Sequence, residues 1–252
     1  MTFDVAAAAY GRFMGRFSEP LSTRFVEHLH LTGQERALDV GCGPGALTAE
    51  LVQHLGQAAV CAIDPAPSFV AAARARFPGV DVRTGRAEEL PFPDASFDIA
   101  LAQLVVHFMS DPVRGLTEMA RVTRPGGWVA ACVWDHAGGG SPLAAFWRAV
   151  GETDATARDE SGLAGARQGH LAELCRAAGL SEVEETSLTV TVPCSGFDDW
   201  WEPFTLGVGP AGAYVASLDD AGLDRLRARC RQLVPAAPFD ISASAWSARG
   251  RA

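Results

Sequence analysis

The chain has 252 residues, with 21 Lys plus Arg against 30 Asp plus Glu, a formal net charge of −9, and 48% hydrophobic residues. That length holds one large domain or two small ones around a core that needs no covalent staples, and the apolar fraction excludes a mainly disordered chain. The acidity argues against broad, salt-driven binding to a phosphate backbone, which needs clustered Lys and Arg, but leaves room for a small ligand held by a few local groups.

The N-terminus, Met1 to Tyr10, carries Asp4 and a short alanine run and lacks the basic and long apolar regions of a signal peptide. Ala6 to His30 reads as helix with a break near Pro20, because Phe13, Phe17, Leu21, Phe25 and Leu29 recur every four residues. Ala37 to Val40 is a short apolar strand. The glycine-rich turn Gly41 to Gly45 follows it, and then a helical pattern through Leu47, Leu51, Val52 and Leu55. The unit repeats: strand Ala58 to Ile63 ending at Asp64-Pro65, helix Ser68 to Phe77, strand Val80 to Val82, strand Phe97 to Leu104, helix Pro112 to Val122, strand Trp128 to Trp134. Strands alternating with helices predict a doubly wound, mostly parallel α/β sheet with right-handed crossovers.

The second half is less regular. Gly138-Gly139-Gly140 and the polar stretch Glu152 to Gly169 read as a flexible lid, with a short helix at Leu143 to Val150 between them. His170 to Ala178 is a helix stopped by Gly179, Val183 to Val192 a strand, Phe197 to Phe204 an aromatic-rich segment, Asp219 to Val234 an amphipathic helix and Phe239 to Trp246 a final strand. The uncharged stretch Pro203 to Leu218 is broken by glycines and Pro210, a poor membrane span. The six cysteines show no CxxC pair and no zinc-site spacing with histidine, so they read as reduced thiols of a cytoplasmic protein without a metal site.

The glycine turn carries the chemistry. Glycines let the backbone turn sharply and approach a ligand, and the next helix aims unpaired N–H groups at it. Asp64, ending the next strand, is placed to accept hydrogen bonds from ribose hydroxyls. Gly41-Cys42-Gly43-Pro44-Gly45 also departs from the G-x-G-x-x-G of dinucleotide sites, and Asp39 sits inside the preceding strand.

Residues Ala37 to Gly45 resemble motif I of class I S-adenosylmethionine-dependent methyltransferases. Glu88 to Asp98 resembles the family's segment from the adenine loop into strand four, and Arg121 to Gly127 the turn before strand five. Tyr10 to Ser18 resembles an N-terminal motif of the ubiquinone/menaquinone-biosynthesis subgroup. The resemblance implies a seven-stranded Rossmann-like sheet with an antiparallel last strand. It implies a single domain over 1–252, an N-terminal helical cover over 1–30, and lid or substrate segments at 136–169 and 196–236.

It further implies that Gly41 and Gly43 face the methionine part of S-adenosylmethionine, and that Asp39 orients its ammonium. Asp64 takes the ribose, Ala87 and Glu88 contact adenine, Gln103 lies beside the sulfonium, and Tyr10 and Arg16 close over the cofactor, Arg16 pairing its carboxylate. Many relatives carry an acid where this chain has Arg86. S-adenosylhomocysteine is the implied product. His107, after strand four, is the candidate general base. Asp135 and His136 form a second candidate pair, and Trp200 and Trp201 are candidates for covering the acceptor. The expected reaction is in-line methyl transfer to a small molecule, with no nucleic acid and no membrane span, by a monomer or homodimer. The alternative is a cofactor-binding protein with non-methylating chemistry or a regulatory role.

Overall fold

A computed structural model describes residues 7–252. The reading of Met1 to Ala6 lies outside them. Helix α1 (Ala7–Tyr10) passes through a π-helical turn (Gly11–Gly15) into α2 (Arg16–Leu29). The alternating units follow as β1 (Ala37–Val40), α3 (Ala46–Leu55), β2 (Val60–Asp64), α4 (Pro67–Arg76), β3 (Asp81–Thr84), β4 (Phe97–Gln103), α5 (Pro112–Val122) and β5 (Thr123–Trp134). The second half supplies α6 (Ala144–Thr153), α7 (His170–Ala177), β6 (Ser181–Cys194), α8 (Phe197–Trp201), α9 (Gly209–Ala216), α10 (Asp220–Leu233) and β7 (Phe239–Arg251).

The seven strands lie in the order β3-β2-β1-β4-β5-β7-β6. β1 to β5 are parallel, and β7 runs antiparallel to both of its neighbours. The strand period of two sends alternate side chains to opposite faces. Leu38, Val40, Cys61 and Ile63 pack with Leu116, Met119 and Leu171 beneath α5 and α7. Ala37, Val60, Ala62 and Leu101 pack on the other face with Phe25, Leu51 and Val70. Both faces are covered, so β1 and β2 are buried at every position, as their apolar sequences require. The apolar residues of the N-terminal repeat, Phe13, Phe17, Leu21, Phe25 and Leu29, are all buried in that second cluster.

Three details differ from the sequence reading. The break expected at Pro20 does not occur: Pro20 sits inside α2. The irregularity falls upstream instead, at the wider π-helical turn, which is one of the usual ways a helix absorbs a local mismatch. Helix α9 lies in the stretch read as glycine-broken; its one sequence signal was Pro210 in the first turn. β7 runs five residues past Trp246, and its polar tail is held because Arg249 and Arg251 lie over the Trp128 ring at 4.8 and 3.7 Å.

The segment of residues 136–169, with α6 inside it, packs onto the core: Leu143, Glu160 and Ala166 are buried, and Ala137 N donates to Ala166 O. No helix among the described residues is long and apolar enough to cross a membrane.

All six cysteines are free and buried. A disulfide reagent such as Ellman's is therefore expected to titrate no thiol quickly in the native protein and six after denaturation. A rapid native reaction of two or more thiols would contradict this packing.

Candidate functional site

The strand order reverses between β1 and β4, and open α/β sheets bind ligands at the carboxyl ends of strands flanking that point. The glycine loop rises from the end of β1. Gly41 N and Cys42 N both donate to Ile63 O, at 2.7 and 3.0 Å, which binds the loop to β2. Gly41 and Gly43 adopt φ of +72° and +53°, a region that L side chains rarely enter. They differ in surroundings. A Cβ on Gly41 would run into the Val105 side chain, whereas one on Gly43 would meet nothing within 4 Å. Gly41 is a packing glycine, and Gly43 has open space where a side chain would stand.

Two buried carboxylates lie under this loop. Asp39 accepts a hydrogen bond from Thr48 Oγ1 at 2.6 Å, and burial pushes its carboxyl up to about 7. Asp64 accepts from Gly43 N at 2.9 Å and from Ala66 N at 2.8 Å, and burial raises it as well. The charge of Asp64 adds to the shift of Asp39, and no cation offsets either acid. Such a pair favours a ligand that brings a positive charge and hydroxyl donors. S-adenosylmethionine carries an ammonium, a sulfonium and a ribose, so these residues fit it. Each Asp64 oxygen keeps acceptor capacity beyond its backbone bond.

Tyr10 is also at this edge: its ring meets Phe69 edge-on at 5.3 Å, and burial and the Asp64 charge both raise its phenol. Ala87 is buried. Glu88 accepts from Ser110 N and Oγ and faces Arg86 at 3.6 Å, so its carboxylate anchors the loop ahead of α5.

Other expectations need correcting. Arg16 does not face the glycine loop. Its guanidinium donates to Asp199 O and Oδ1 and to Pro193 O, tying α2 to β6 and α8, because the turn of α2 on which it sits packs toward that end of the sheet. Gln103 is drawn to α2 as well: Nε2 donates to Ser18 O at 2.9 Å and Ser22 Oγ at 2.8 Å, while its buried Oε1 has no partner. Trp200 and Trp201 are buried and pack with Phe197 and Phe204 in the core, the apolar rings being worth more there than at a solvated mouth. Asp135 accepts from Gly138 N and shapes the glycine turn that follows it.

Past the ends of β4 and β5 lies a small, half-open cleft. Tyr10, Phe13, Met14 and Trp134 line one part; Leu143, Val208 and Pro210 line another. Met14 and Trp134 are themselves joined, Nε1 of the indole donating to the thioether at 3.3 Å. Four titratable side chains face this largely apolar space: the buried His107 and Glu160 and the half-buried His136 and Tyr10. The two imidazoles lie 5.9 Å apart between ring centroids. Nδ1 of His107 and both ring nitrogens of His136 are buried without a hydrogen-bond partner. Burial holds His107 well below its ordinary range and His136 down at about 4, so both are neutral at pH 7. Glu160 accepts from Trp147 Nε1 at 2.8 Å, and burial raises its carboxyl to about 7.

His107 and His136 were singled out in the sequence, and the structure brings them together. Glu160 was not, because nothing local distinguishes it within a polar loop. Among the described residues, no cluster of three or more His, Cys, Asp or Glu could hold a metal ion.

The chain is similar to known methyltransferases. A family model described as a methyltransferase domain matches residues 38–131, which run from within β1 into β5. The chain is 34% identical over 168 residues to a phosphatidylethanolamine N-methyltransferase of Cereibacter sphaeroides, covering 62% of this chain and 80% of that protein. It is 38% identical over 135 residues to an uncharacterized methyltransferase of Mycobacterium bovis, covering 54% of this chain and 52% of that protein. The chain thus spans about half the length of several curated relatives that it matches. Among solved structures, an S-adenosylmethionine-dependent methyltransferase of Thermotoga maritima, a possible histamine N-methyltransferase, matches with a TM-score of 0.59 at 21% identity. It covers 96% of this chain and 93% of that one, a likeness that shows the fold.

Proposed function

The chain belongs to the class I S-adenosylmethionine-dependent methyltransferases, and we propose that it binds S-adenosylmethionine at the glycine loop and methylates a small molecule held in the adjoining cleft. One observation carries this reading: an open, bare-backbone loop at Gly43 above two buried acids that no cation offsets. The cofactor supplies a methyl group already activated on a sulfonium. The protein's task is then alignment and exclusion of water.

In this reading Asp39 orients the ammonium, Asp64 takes the ribose hydroxyls, and Gly41 and Gly43 shape the backbone beneath the methionine part. Ala87 walls the adenine, with Glu88 fixing the loop that carries it. Tyr10 lines the acceptor cleft while feeling the Asp64 charge, so it stands where the two ligands meet. His107 lies in that cleft with His136, where a base is needed if the acceptor must lose a proton. The cover and lid roles of 1–30, 136–169 and 196–236 draw support from Tyr10, Leu143, Glu160 and Val208 lining one space.

Calorimetry with S-adenosylhomocysteine tests the reading. We expect binding at micromolar level, and a loss of at least tenfold in Asp64→Ala, whose aspartate otherwise contacts Gly43 N and Ala66 N. A folded protein that binds neither S-adenosylhomocysteine nor S-adenosylmethionine would sink it. Cofactor binding without methylated product from any acceptor would favour the non-methylating alternative.

A further inference from the structure

The acceptor cleft has a definite chemistry, and naming the acceptor rests on the methyl-transfer reading above. Its walls are aromatic, aliphatic and thioether groups, and no Lys or Arg is among the described residues that line it. A phosphate or carboxylate acceptor would enter it as an unpaired, desolvated charge, which is strongly unfavourable. A protonated amine fares better beside Glu160. Yet an ammonium held there has no free electron pair until a base takes its proton, and Glu160 is already engaged by Trp147 Nε1.

The polar groups call for something else. Buried polar atoms normally find partners, and here three imidazole nitrogens on two neighbouring, mutually tilted rings have none. A neutral imidazole offers one acceptor and one donor. Rings 5.9 Å apart between centroids can be bridged by one oxygen that hydrogen-bonds to each at about 2.8 Å.

We propose that the acceptor is an uncharged, planar aromatic molecule bearing a hydroxyl, held between His107 and His136, and that His136 takes the hydroxyl proton as the oxygen is methylated. The oxygen gives an electron pair to the methyl carbon. The pair of the breaking sulfur–carbon bond stays on sulfur as a neutral thioether, and the O–H proton moves to a ring nitrogen of His136, which later returns it to solvent. The two histidines are not equivalent in this step. Burial lowers both imidazoles; beside that larger effect, Asp159 and Asp135 favour the charged form of His136, whereas the one charge influence on His107 is His136 itself, which opposes it. His107 is therefore the hydrogen-bonding partner and His136 the proton acceptor.

The test uses three probes of one shape on protein saturated with S-adenosylhomocysteine: 2-naphthol, 2-naphthoate and 2-naphthylmethylamine. Binding is read by quenching of the tryptophan emission to which Trp134 in the cleft wall contributes. Naphthol is expected to bind at least tenfold more tightly than either charged probe, and to give its methyl ether, by mass spectrometry, with S-adenosylmethionine. His136→Gln is expected to lower kcat by about 10²-fold or more with KM little changed, the size usual for removing a general base. His107→Gln is expected mainly to raise KM. An unaltered S-adenosylhomocysteine affinity in each variant certifies that it is folded.

Tighter binding of the carboxylate or the amine, or an unchanged kcat in His136→Gln, overturns the proposal while methyl transfer stands. Failure of the wild-type protein to bind S-adenosylhomocysteine removes both.

Discussion

Replacing Asp39 by Asn is expected to abolish cofactor binding while making the free protein more stable at high pH. Asp39 is buried, keeps one bond from Thr48, and has its carboxyl held near 7 rather than 3.8. In the unfolded chain it titrates near 3.8. Between these values the native state binds more protons than the unfolded state, so this residue's contribution to stability falls as pH rises from about 4 to about 7. At 1.36 kcal/mol per pH unit the ionised form is disfavoured by up to about 4 kcal/mol, and solvent relaxation around the charge reduces that.

Asparagine resembles the protonated acid in shape and can still accept from Thr48. The melting temperature of Asp39→Asn should therefore exceed that of wild type by an amount that grows between pH 5 and pH 8. For a chain of this size each kcal/mol moves it by about 2–4 °C. Saturating S-adenosylmethionine should reverse the order, because its ammonium supplies the missing countercharge to wild type alone. Melting curves at both pH values, with and without ligand, read all of this at once. A difference that does not change with pH would refute a raised Asp39.

The second large effect separates two glycines that look alike in the sequence. Gly41→Ala is expected to cost stability, and Gly43→Ala to cost binding. Both sit at positive φ, so a side chain at either is disfavoured by about 1–2 kcal/mol. At Gly41 the new Cβ would also lie 2.6 Å from Val105 Cγ1, and inserting a methyl group into packed surroundings adds about 1–3 kcal/mol. At Gly43 there is no such neighbour. The added methyl projects from the backbone to which the cofactor must come close, so Gly43→Ala should remain folded and lose S-adenosylhomocysteine affinity by tenfold or more. Thermal melts and calorimetry on the two variants decide this. Equal melting temperatures, or full binding by Gly43→Ala, would show that the cleft does not open where the loop is bare.

Much of the site was legible in the sequence because it is local. Asp39, Gly41, Gly43 and Asp64 lie within strand–turn units whose apolar periodicity fixes where each strand ends, and the end of a parallel strand is where a ligand sits. His107 and His136 were visible for the same reason, each following a strand. The residues that were misread act over long chain separations. Arg16 reaches Asp199 and Pro193, Gln103 reaches Ser18 and Ser22, and Trp200 and Trp201 are buried in one core cluster with the distant Phe13 and Phe146. Nothing within a window of a few residues encodes such partners.

The sequence by itself determined the alternating parallel sheet, the glycine loop with its two acids, and membership of a methyltransferase family, since periodicity and short motifs are properties of neighbours along the chain. Only the tertiary structure decided which glycine has open space beside it, that the two histidine rings lie 5.9 Å apart, and that Glu160 joins them in a largely apolar space without a cation. Burial and charge proximity are set by segments as far apart as Tyr10, His107 and Val208, and the same imidazole or carboxyl is ordinary in water and chemically distinct once that packing removes its solvent.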